Sequence, residues 1–262
     1  MKKSTSEQVK KYWDEQASKY GDNYLATIPD KFLKDLEIKN ILKYLPSKKV
    51  VRVVDIGCGN GYSIFQMIDK LKAKFVGIDY SEEMIKNANQ TLKEINKKNQ
   101  KRVSFLQGNV LELPFVDKSF EIAVSDRCLI NLTSLTDQKK ALREIARILK
   151  KGGLYIMCED TQEGLVNLNK LRLLANLGVI GNRWHNLYLN EKKISKEIKK
   201  YFKVLTVDNF SSLYYIASRI FNAVSASDPA SPDYLSVINK VAAELPAVGD
   251  YGPLKIFLLQ KK

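Results

Sequence analysis

The sequence predicts an α/β fold in which helices cover both faces of a mostly parallel sheet. Short apolar runs alternate with helical patterns along residues 50–160, and a glycine-rich turn follows the first apolar run. Alternating strands and helices form parallel sheets. The chain has 262 residues, of which 45% are hydrophobic, enough for one sizeable core. We therefore expect one structural domain with room for a cap.

Five apolar runs are expected to be strands and three amphipathic runs to be helices. The strands are predicted at residues 50–56, 74–79, 102–107, 119–125 and 153–159, and the helices at 62–71, 82–98 and 136–150. Another helix is expected to end near Pro46. Parallel strands joined by right-handed crossovers bring their carboxyl ends to one edge of the sheet. That edge is the predicted active site, and the residues expected along it are Gly57, Asp79, Asn109, Asp126 and Glu159.

The turn after the first strand contains Gly57, Gly59 and Gly61. Glycines allow backbone angles barred to other residues and leave no side chain between the main chain and a ligand, so we interpret the turn as a nucleotide-binding loop. A dinucleotide-binding loop has the pattern G-x-G-x-x-G, whereas the third glycine here comes one residue early, which argues against NAD. Asp79 ends the next strand, where an acidic residue accepts hydrogen bonds from ribose hydroxyls.

This arrangement resembles the class I S-adenosylmethionine-dependent methyltransferases, whose signature is an acidic residue, G-x-G-x-G and a second acidic residue closing the next strand. Asp55, the three glycines and Asp79 match that signature. Residues 107–115 resemble the family's loop beside adenine, and residues 149–154 resemble its turn before the fifth strand. Asn109 stands where the family usually has aspartate. Its side-chain carbonyl and the N–H of Val110 can still bind adenine.

The resemblance, which covers roughly residues 10–160, implies a Rossmann-like, seven-stranded, mostly parallel sheet with an antiparallel final strand. It also implies S-adenosyl-L-methionine as cofactor and S-adenosyl-L-homocysteine as product. Residues 202–207 and 255–259 would be the last two strands. The cofactor-binding residues are expected in the glycine turn, at neighbouring strand ends and in a lid helix: Tyr12, Tyr20, Asp55, Gly57, Gly59, Gly61, Asp79, Tyr80, Asn109, Val110 and Ser125.

The lid helix is the interpretation of residues 7–20, which resemble a short aromatic helix that many of these enzymes fold over the cofactor. An amphipathic helix packed on the sheet is the alternative. We expect residues 1–160 to form the cofactor-binding core with this lid, and residues 161–201 to form a substrate cap. Residues 202–262 would supply the last two strands and a second insertion at about 210–252. Substrate choice commonly resides in such additions, although they could merely cover the sheet.

Methyl transfer from a sulfonium requires alignment, exclusion of water and, for a protonated nucleophile, a base. Asp126 and Arg127 follow the fourth strand, where the family places residues that face the nucleophile. His185, the only histidine, could be a general base or a structural residue. These three are the candidate catalytic residues. Arg127 could bind a carboxylate or phosphate, with a salt bridge that fixes the loop as the alternative. The residues expected to bind the acceptor are Arg183, Trp184, Tyr214, Tyr215 and Arg219, with packing as the alternative role of the tyrosines.

The composition is compatible with a small anionic acceptor. The formal net charge of +14 suits an anionic partner, but the basic residues are spread along the chain, and an AT-rich genome is an equally simple cause. Nucleic acid is not expected, because the sequence contains no RNA-recognition module, base-flipping N/D-P-P-F/Y pattern or zinc knuckle. The three cysteines are widely spaced and suit neither a disulfide framework nor a metal site. We expect no metal.

The sequence therefore predicts a cytoplasmic methyltransferase that acts on an oxygen of a small anionic or sugar-nucleotide-like acceptor. We find no apolar run of membrane-spanning length, no leader and no lipidation motif. Similar small-molecule enzymes suggest a role in surface-polysaccharide biosynthesis. The alternatives are an RNA methyltransferase and a cofactor-binding regulatory protein without catalysis. The sequence leaves open the acceptor, its reacting atom and the oligomeric state.

Overall fold

The computed structural model describes residues 5–228 and 233–262. Seven strands form one sheet: β1 (Arg52–Ile56), β2 (Lys74–Asp79), β3 (Val103–Gln107), β4 (Phe120–Asp126), β5 (Leu149–Asp160), β6 (Phe202–Asp208) and β7 (Leu254–Lys261). Their order in the sheet is β3-β2-β1-β4-β5-β7-β6. β1 to β5 pair in parallel, whereas β7 runs antiparallel to both of its neighbours. The predicted fold class is confirmed.

The helices include those between the strands and those of the two insertions. They are α1 (Ser6–Tyr20), α2 (Lys31–Lys43), α3 (Tyr62–Met67), α4 (Glu82–Glu94), α5 (Lys97–Gln100), α6 (Leu135–Ile148), α7 (Gln162–Leu174), α8 (Glu191–Tyr201), α9 (Ser212–Ile216), α10 (Asn222–Ser225) and α11 (Val237–Ala242). A π-helical turn, Ala217–Phe221, joins α9 to α10. Within residues 5–228 and 233–262, every helix is too short or too polar to cross a membrane.

The core lies on both faces of the sheet because successive strand residues point to opposite sides. Val53 belongs to one hydrophobic cluster, and its neighbour Val54 belongs to the other. Helix α2 contributes Leu33 and Ile41 to the first cluster, and α6 contributes Leu142 to the second. The sheet is therefore covered on both sides, and its edge at the carboxyl ends of β1, β2, β4 and β5 is the part left for a ligand.

Two of the element boundaries that differ from the predicted ones do so for local reasons. The helix expected over 82–98 ends at Glu94, because Asn96 begins a new turn by accepting a hydrogen bond from the N–H of Asn99. β5 begins at Leu149, earlier than the expected residue 153. Leu149 pairs with Phe120, and a register shift then accommodates the intervening glycines before the next pair.

Gly77, inside β2, gives a direct test of this packing. A Cβ added at this position would lie 2.5 Å from the Phe105 ring and 2.9 Å from the Cys58 sulfur. We expect Gly77→Ala to lower the free energy of unfolding by about 1–3 kcal/mol, as overpacking does, when measured by urea denaturation. Gly178→Ala is the control, because nothing lies within 4 Å of the added Cβ, and it should stay within about 0.5 kcal/mol of wild type. Equal stability of the two variants would contradict the packing.

Candidate active site

A cavity of about 300 Å³ runs along the carboxyl edge of the sheet. Its wall contains Gly59 from the glycine turn, Asp79 from the end of β2 and Asp126 from the end of β4. Arg183 of the first insertion and Tyr215 of the second insertion line the same cavity. The cavity therefore connects the predicted cofactor loop with both insertions, and two ligands could meet inside it.

The three glycines of the turn have different roles. All have left-handed backbone angles, with φ values of 74° at Gly57, 55° at Gly59 and 77° at Gly61. Gly57 and Gly59 line the cavity, where the bare main chain can face a ligand. Gly61 lies behind them, and a Cβ there would come within 2.7 Å of the Phe105 ring. The structure places Gly61 in the core, at the start of α3.

Asp79 fixes the glycine turn and also faces the cavity. One carboxylate oxygen accepts a hydrogen bond from the N–H of Gly59 and the other from the N–H of Ser81, each at 2.8 Å. Burial raises the pKa of Asp79, while the N–H groups of Ser81 and Gly59 oppose that rise. A carboxylate has about four lone-pair sites, so Asp79 retains acceptor capacity for two hydroxyl groups of a ribose.

The loop after β3 forms the next part of the wall. Asn109 and Val110 line the cavity, as does the half-exposed Tyr80. The side-chain oxygen of Asn109 accepts a hydrogen bond from the N–H of Leu111 at 2.9 Å, which fixes a tight turn. That oxygen keeps a second lone pair toward a ligand. The geometry thus leaves room for the adenine contacts expected at Asn109 and Val110.

The charge at this edge favours a cationic ligand. Asp55, at the end of β1, has its pKa raised to about 7, first by burial and then by the carboxylate of Asp126, with Lys34 opposing and Asp79 adding to the rise. A positive charge bound nearby would relieve this repulsion. S-adenosylmethionine carries such a charge on its sulfur. The bare glycines, the acceptors of Asp79 and the acidic edge together fit this molecule.

Helix α1 covers the cavity through a face that differs from the predicted one. Ser6, Val9, Lys10 and Trp13 line the cavity at the spacing of one helical face. Trp13 Nε1 donates to Asn131 Oδ1 at 3.2 Å, which fastens α1 to the loop after β4. Asn60 of the glycine turn donates from Nδ2 to the carbonyl oxygens of Gly21 and Asn23, each at 2.9 Å. The helix is therefore held over the turn as a lid.

Tyr12 and Tyr20 lie off the cavity wall. Tyr12 stacks on His185 with ring centroids 4.4 Å apart and also contacts Trp184. Tyr20 packs against the small cluster that contains Met84. Both tyrosines stabilise the position of the lid, and Trp13 presents the aromatic surface to the cavity.

The loop after β4 is held from below by two buried side chains. Ser125 donates to Glu159 Oε1 at 2.7 Å and contacts the Tyr155 hydroxyl at 2.8 Å. Glu159 accepts hydrogen bonds from the N–H groups of Cys128, Leu129 and Ile130, and burial raises its pKa to about 8. The structure places Ser125 and Glu159 beneath the loop and off the cavity wall, so they support the site from outside.

Asp126 and Arg127 line the cavity within a buried ion cluster that the sequence analysis missed. Lys34 Nζ lies 2.6 Å from Asp126 Oδ2 and 3.2 Å from Glu37 Oε2. Arg127 Nε lies 3.1 Å from Glu37 Oε1. Burial acts to raise the pKa of Asp126, but the charges of Lys34 and Arg127 outweigh it and lower the pKa. Asp126 is therefore ionised, paired and a poor proton acceptor.

Arg219 and Tyr215 line the cavity from the second insertion, whereas Tyr214 lies behind the wall. Arg219 Nη2 donates to Asp30 Oδ2 at 2.9 Å, and the Tyr214 hydroxyl donates to Asp30 Oδ1 at 2.5 Å. Arg219 Nη1 is buried and has no hydrogen-bond partner in the described part of the chain. Tyr214 therefore anchors the insertion, and Arg219 offers a donor.

His185 lines the cavity with a neutral ring. Burial, and then the charge of Arg183, lowers its pKa to about 4. The ring stacks on Tyr12, and its edge contacts Trp13 and Trp184, which is itself half-exposed. An imidazole with so low a pKa is a weak base at neutral pH. Packing of the lid against the first insertion is the role that these contacts support.

The sequence resembles known methyltransferase sequences over most of this site. The family model described as "Methyltransferase domain" matches residues 47–212. A "Demethylmenaquinone methyltransferase" of Lactococcus lactis is 32% identical over 133 residues, which cover 50% of this chain and 50% of that protein. The chain thus spans about half the length of the curated relatives it matches.

Solved structures share the fold over nearly the whole chain. A geranyl diphosphate methyltransferase, solved with GPP and sinefungin, has a TM-score of 0.63 at 14% identity. The match covers 98% of this chain and 98% of that chain. The [4+2]-cyclase SpnF has a TM-score of 0.65 at 20% identity, with 98% of this chain and 97% of that chain covered. These likenesses concern the fold alone.

We expect Asp79→Ala to weaken binding of S-adenosylmethionine by about 1.5–3 kcal/mol, because charge-assisted hydrogen bonds to ribose are lost. The N–H groups of Gly59 and Ser81 also lose their partner, at a further cost of about 1–3 kcal/mol in stability, which leaves a folded protein. Asp79→Asn keeps one oxygen and should give an intermediate affinity in calorimetry. Wild-type affinity in a folded Asp79→Ala protein would remove Asp79 from the site.

His185 is expected to act through its ring contacts. His185→Ala should weaken S-adenosylmethionine binding by about 1 kcal/mol, since an aromatic pair contributes about 0.5–1.5 kcal/mol. His185→Phe preserves the stack on Tyr12 and should bind like wild type in the same calorimetric assay. Equal weakening in both variants would show that the ring nitrogens, and not the packing, matter.

Proposed function

Because the chain belongs to the class I S-adenosylmethionine-dependent methyltransferases, we propose that it transfers a methyl group to an oxygen of a small anionic acceptor. The shared cavity is the observation that carries this proposal. Gly59 and Asp79 line one part of it, and Arg183 and Arg219 line another. A cofactor on the glycine turn and an acceptor under the insertions would therefore occupy adjacent space.

The side chains on the insertion side support an acceptor with an anionic group and an apolar body. Three guanidinium groups, from Arg127, Arg183 and Arg219, reach the cavity, and a guanidinium matches a carboxylate or phosphate with paired donors. Apolar and aromatic side chains also line this part of the cavity: Leu165, Leu168, Ile180, Tyr188, Tyr215 and Tyr234. Such a wall suits an aromatic or aliphatic acceptor better than a bare sugar. The comparisons give no support to a polysaccharide role.

Bound S-adenosylmethionine supplies a methyl group on a cationic sulfur that is already a good leaving group. The protein's task is to align the acceptor oxygen about 3 Å from the methyl carbon and to exclude water. Asp79 and the bare glycines hold the nucleoside end, and Trp13 closes the lid side. Arg183 and Arg219 orient the acceptor through its anionic group.

Methylation of an aromatic ring carbon is the second candidate. Relatives such as the Lactococcus lactis protein are named demethylmenaquinone methyltransferases, and the tyrosine-rich wall would accept a flat ring. An aromatic diol could present either an oxygen or an adjacent carbon. Mass spectrometry of the product after exchange into heavy water separates the two, because O-methylation removes an exchangeable hydroxyl proton and C-methylation retains it.

A turnover screen with isotope-labelled S-adenosylmethionine tests the function. The panel contains phenolic carboxylates, aromatic diols, sugar nucleotides, phosphorylated metabolites and bulk RNA. The proposal predicts label in a small hydroxyl-bearing anion. Label only in RNA, with binding that falls steeply with salt, would favour an RNA methyltransferase. Cofactor binding without turnover on any acceptor would favour a non-catalytic regulatory protein.

Arg183 tests the anionic part of the acceptor. Arg183→Ala removes one charge-assisted contact of about 1.5–3 kcal/mol, so KM for a phenolic carboxylate should rise at least about tenfold, with KM for the matching neutral amide unchanged. Arg143→Ala is the control, because Arg143 is exposed on α6 and does not line the cavity. An equal rise of KM for the carboxylate and the amide would contradict the proposed anion contact.

A further inference from the structure

Asp160 is the one strand-end carboxylate at this edge that is nearly fully buried and also faces the insertions. It is the last residue of β5, is 4% exposed and lines the cavity. Its carbonyl oxygen accepts a hydrogen bond from the N–H of Leu189, and its neighbour across the sheet is Leu254 on β7. The backbone of Asp160 is therefore held by neighbours on both sides, and the residue lines the cavity from a fixed position.

The carboxyl group itself is incompletely bonded. Asp160 Oδ1 is buried and lacks a hydrogen-bond partner within residues 5–228 and 233–262. Asp79 has two backbone N–H groups as donors and Glu159 has three. Asp126 Oδ1 also lacks a hydrogen-bond partner in the described residues, but Asp126 is held through Oδ2 by Lys34. A buried polar atom left without a partner costs free energy. An acceptor hydroxyl would be the missing donor.

Charged and titratable groups face Asp160 from three parts of the chain. Asp126 and Arg127 belong to the loop after β4, Arg183 and Tyr188 to the first insertion, and Tyr215 and Arg219 to the second insertion. Burial raises the pKa of Asp160 to about 6, with Asp126 adding to the rise and the three arginines limiting it. The group is thus ionised at neutral pH, yet its pKa lies close enough to that pH for proton transfer.

We propose that Asp160 is the general base that removes the hydroxyl proton of the acceptor, an inference that rests on the proposed function. The hydroxyl of a phenolic or similar acid, whose anionic group is held by Arg183 and Arg219, donates to the Asp160 carboxylate. The acceptor oxygen bonds to the methyl carbon, the carbon–sulfur bond breaks with its electron pair on sulfur, and the proton moves to Asp160. Solvent takes that proton after product release.

The other candidate bases suit this step less well. Asp126 is paired with Lys34 at 2.6 Å, and its lowered pKa makes it a poor proton acceptor. His185 has a pKa of about 4 and is occupied by ring contacts. Asp160 combines a free acceptor atom, a place on the cavity wall and a suitable pKa.

Asp160→Asn tests the proposal with phenolic carboxylates whose hydroxyl pKa is lowered stepwise by ring fluorination. At neutral pH kcat should fall about a hundredfold or more for the unsubstituted phenol, within the range that a general base contributes. The loss of kcat in Asp160→Asn should become smaller as fluorination lowers the pKa of the phenol, because an already ionised phenol needs no base to remove its proton. Wild type should show a rise of kcat/KM with pH near 6, and this rise should disappear in Asp160→Asn. Asp208→Asn, which changes a strand-end aspartate outside the cavity, should behave like wild type.

Stability and cofactor affinity separate a catalytic Asp160 from a structural one. When the pKa of a carboxyl group is higher in the folded state than in the unfolded state, the folded protein loses stability as the pH rises from the unfolded pKa through the folded pKa. Asp160→Asn removes the destabilisation caused by the ionised carboxylate, so above pH 7 the Tm of the variant should equal or exceed that of wild type. The affinity of the variant for S-adenosylmethionine should be unchanged. A lowered Tm, weakened cofactor binding or a retained rate would overturn the proposal. If wild type methylates no acceptor at all, the proposed function fails, and this inference fails with it.

Discussion

The concentration of carboxyl groups at one edge of the sheet is the constraint on which the site depends. Asp55, Asp79, Asp126, Glu159 and Asp160 come from the ends of four parallel strands. Parallel topology brings them together, and like charges at short range disfavour ionisation. Backbone N–H groups stabilise Asp79 and Glu159, and Lys34 stabilises Asp126. The glycine turn, the loop after β4 and helix α2 are therefore positioned by the same carboxylates.

The same constraint divides these carboxylates into different roles. A carboxyl group that receives several donors is fixed and serves as a structural anchor, as Glu159 does beneath the loop after β4. One that retains acceptor capacity toward the cavity, as Asp79 does, can bind hydroxyl groups. Asp160, buried and incompletely bonded, carries the unbalanced charge that the arginines of both insertions offset only in part. The insertions thus cover the cavity and also tune its chemistry.

The sequence predicted the sheet, the glycine turn and the position of Asp79 at the end of β2 because these depend on local pattern. It missed contacts that depend on how elements rotate against one another. Helical spacing placed aromatic residues on α1, but hydrogen bonds at Asn131 and Asn60 turn Trp13, and neither Tyr12 nor Tyr20, toward the cavity.

Successive residues of β4 point to opposite sides, so only one of two neighbouring predicted site residues reaches the cavity. Ser125 points beneath the loop, and Asp126 points into the site. Lys34 and Glu37 were missed because their partners lie about ninety residues away along the chain.

The most direct test is a crystal structure with S-adenosylhomocysteine and a phenolic carboxylate. We expect adenine beside Asn109 and Val110, and sulfur within about 8 Å of the Asp160 carboxylate, the span of a methyl, an acceptor oxygen and one hydrogen bond. A separation above about 15 Å, or an acceptor bound outside the cavity, would contradict it.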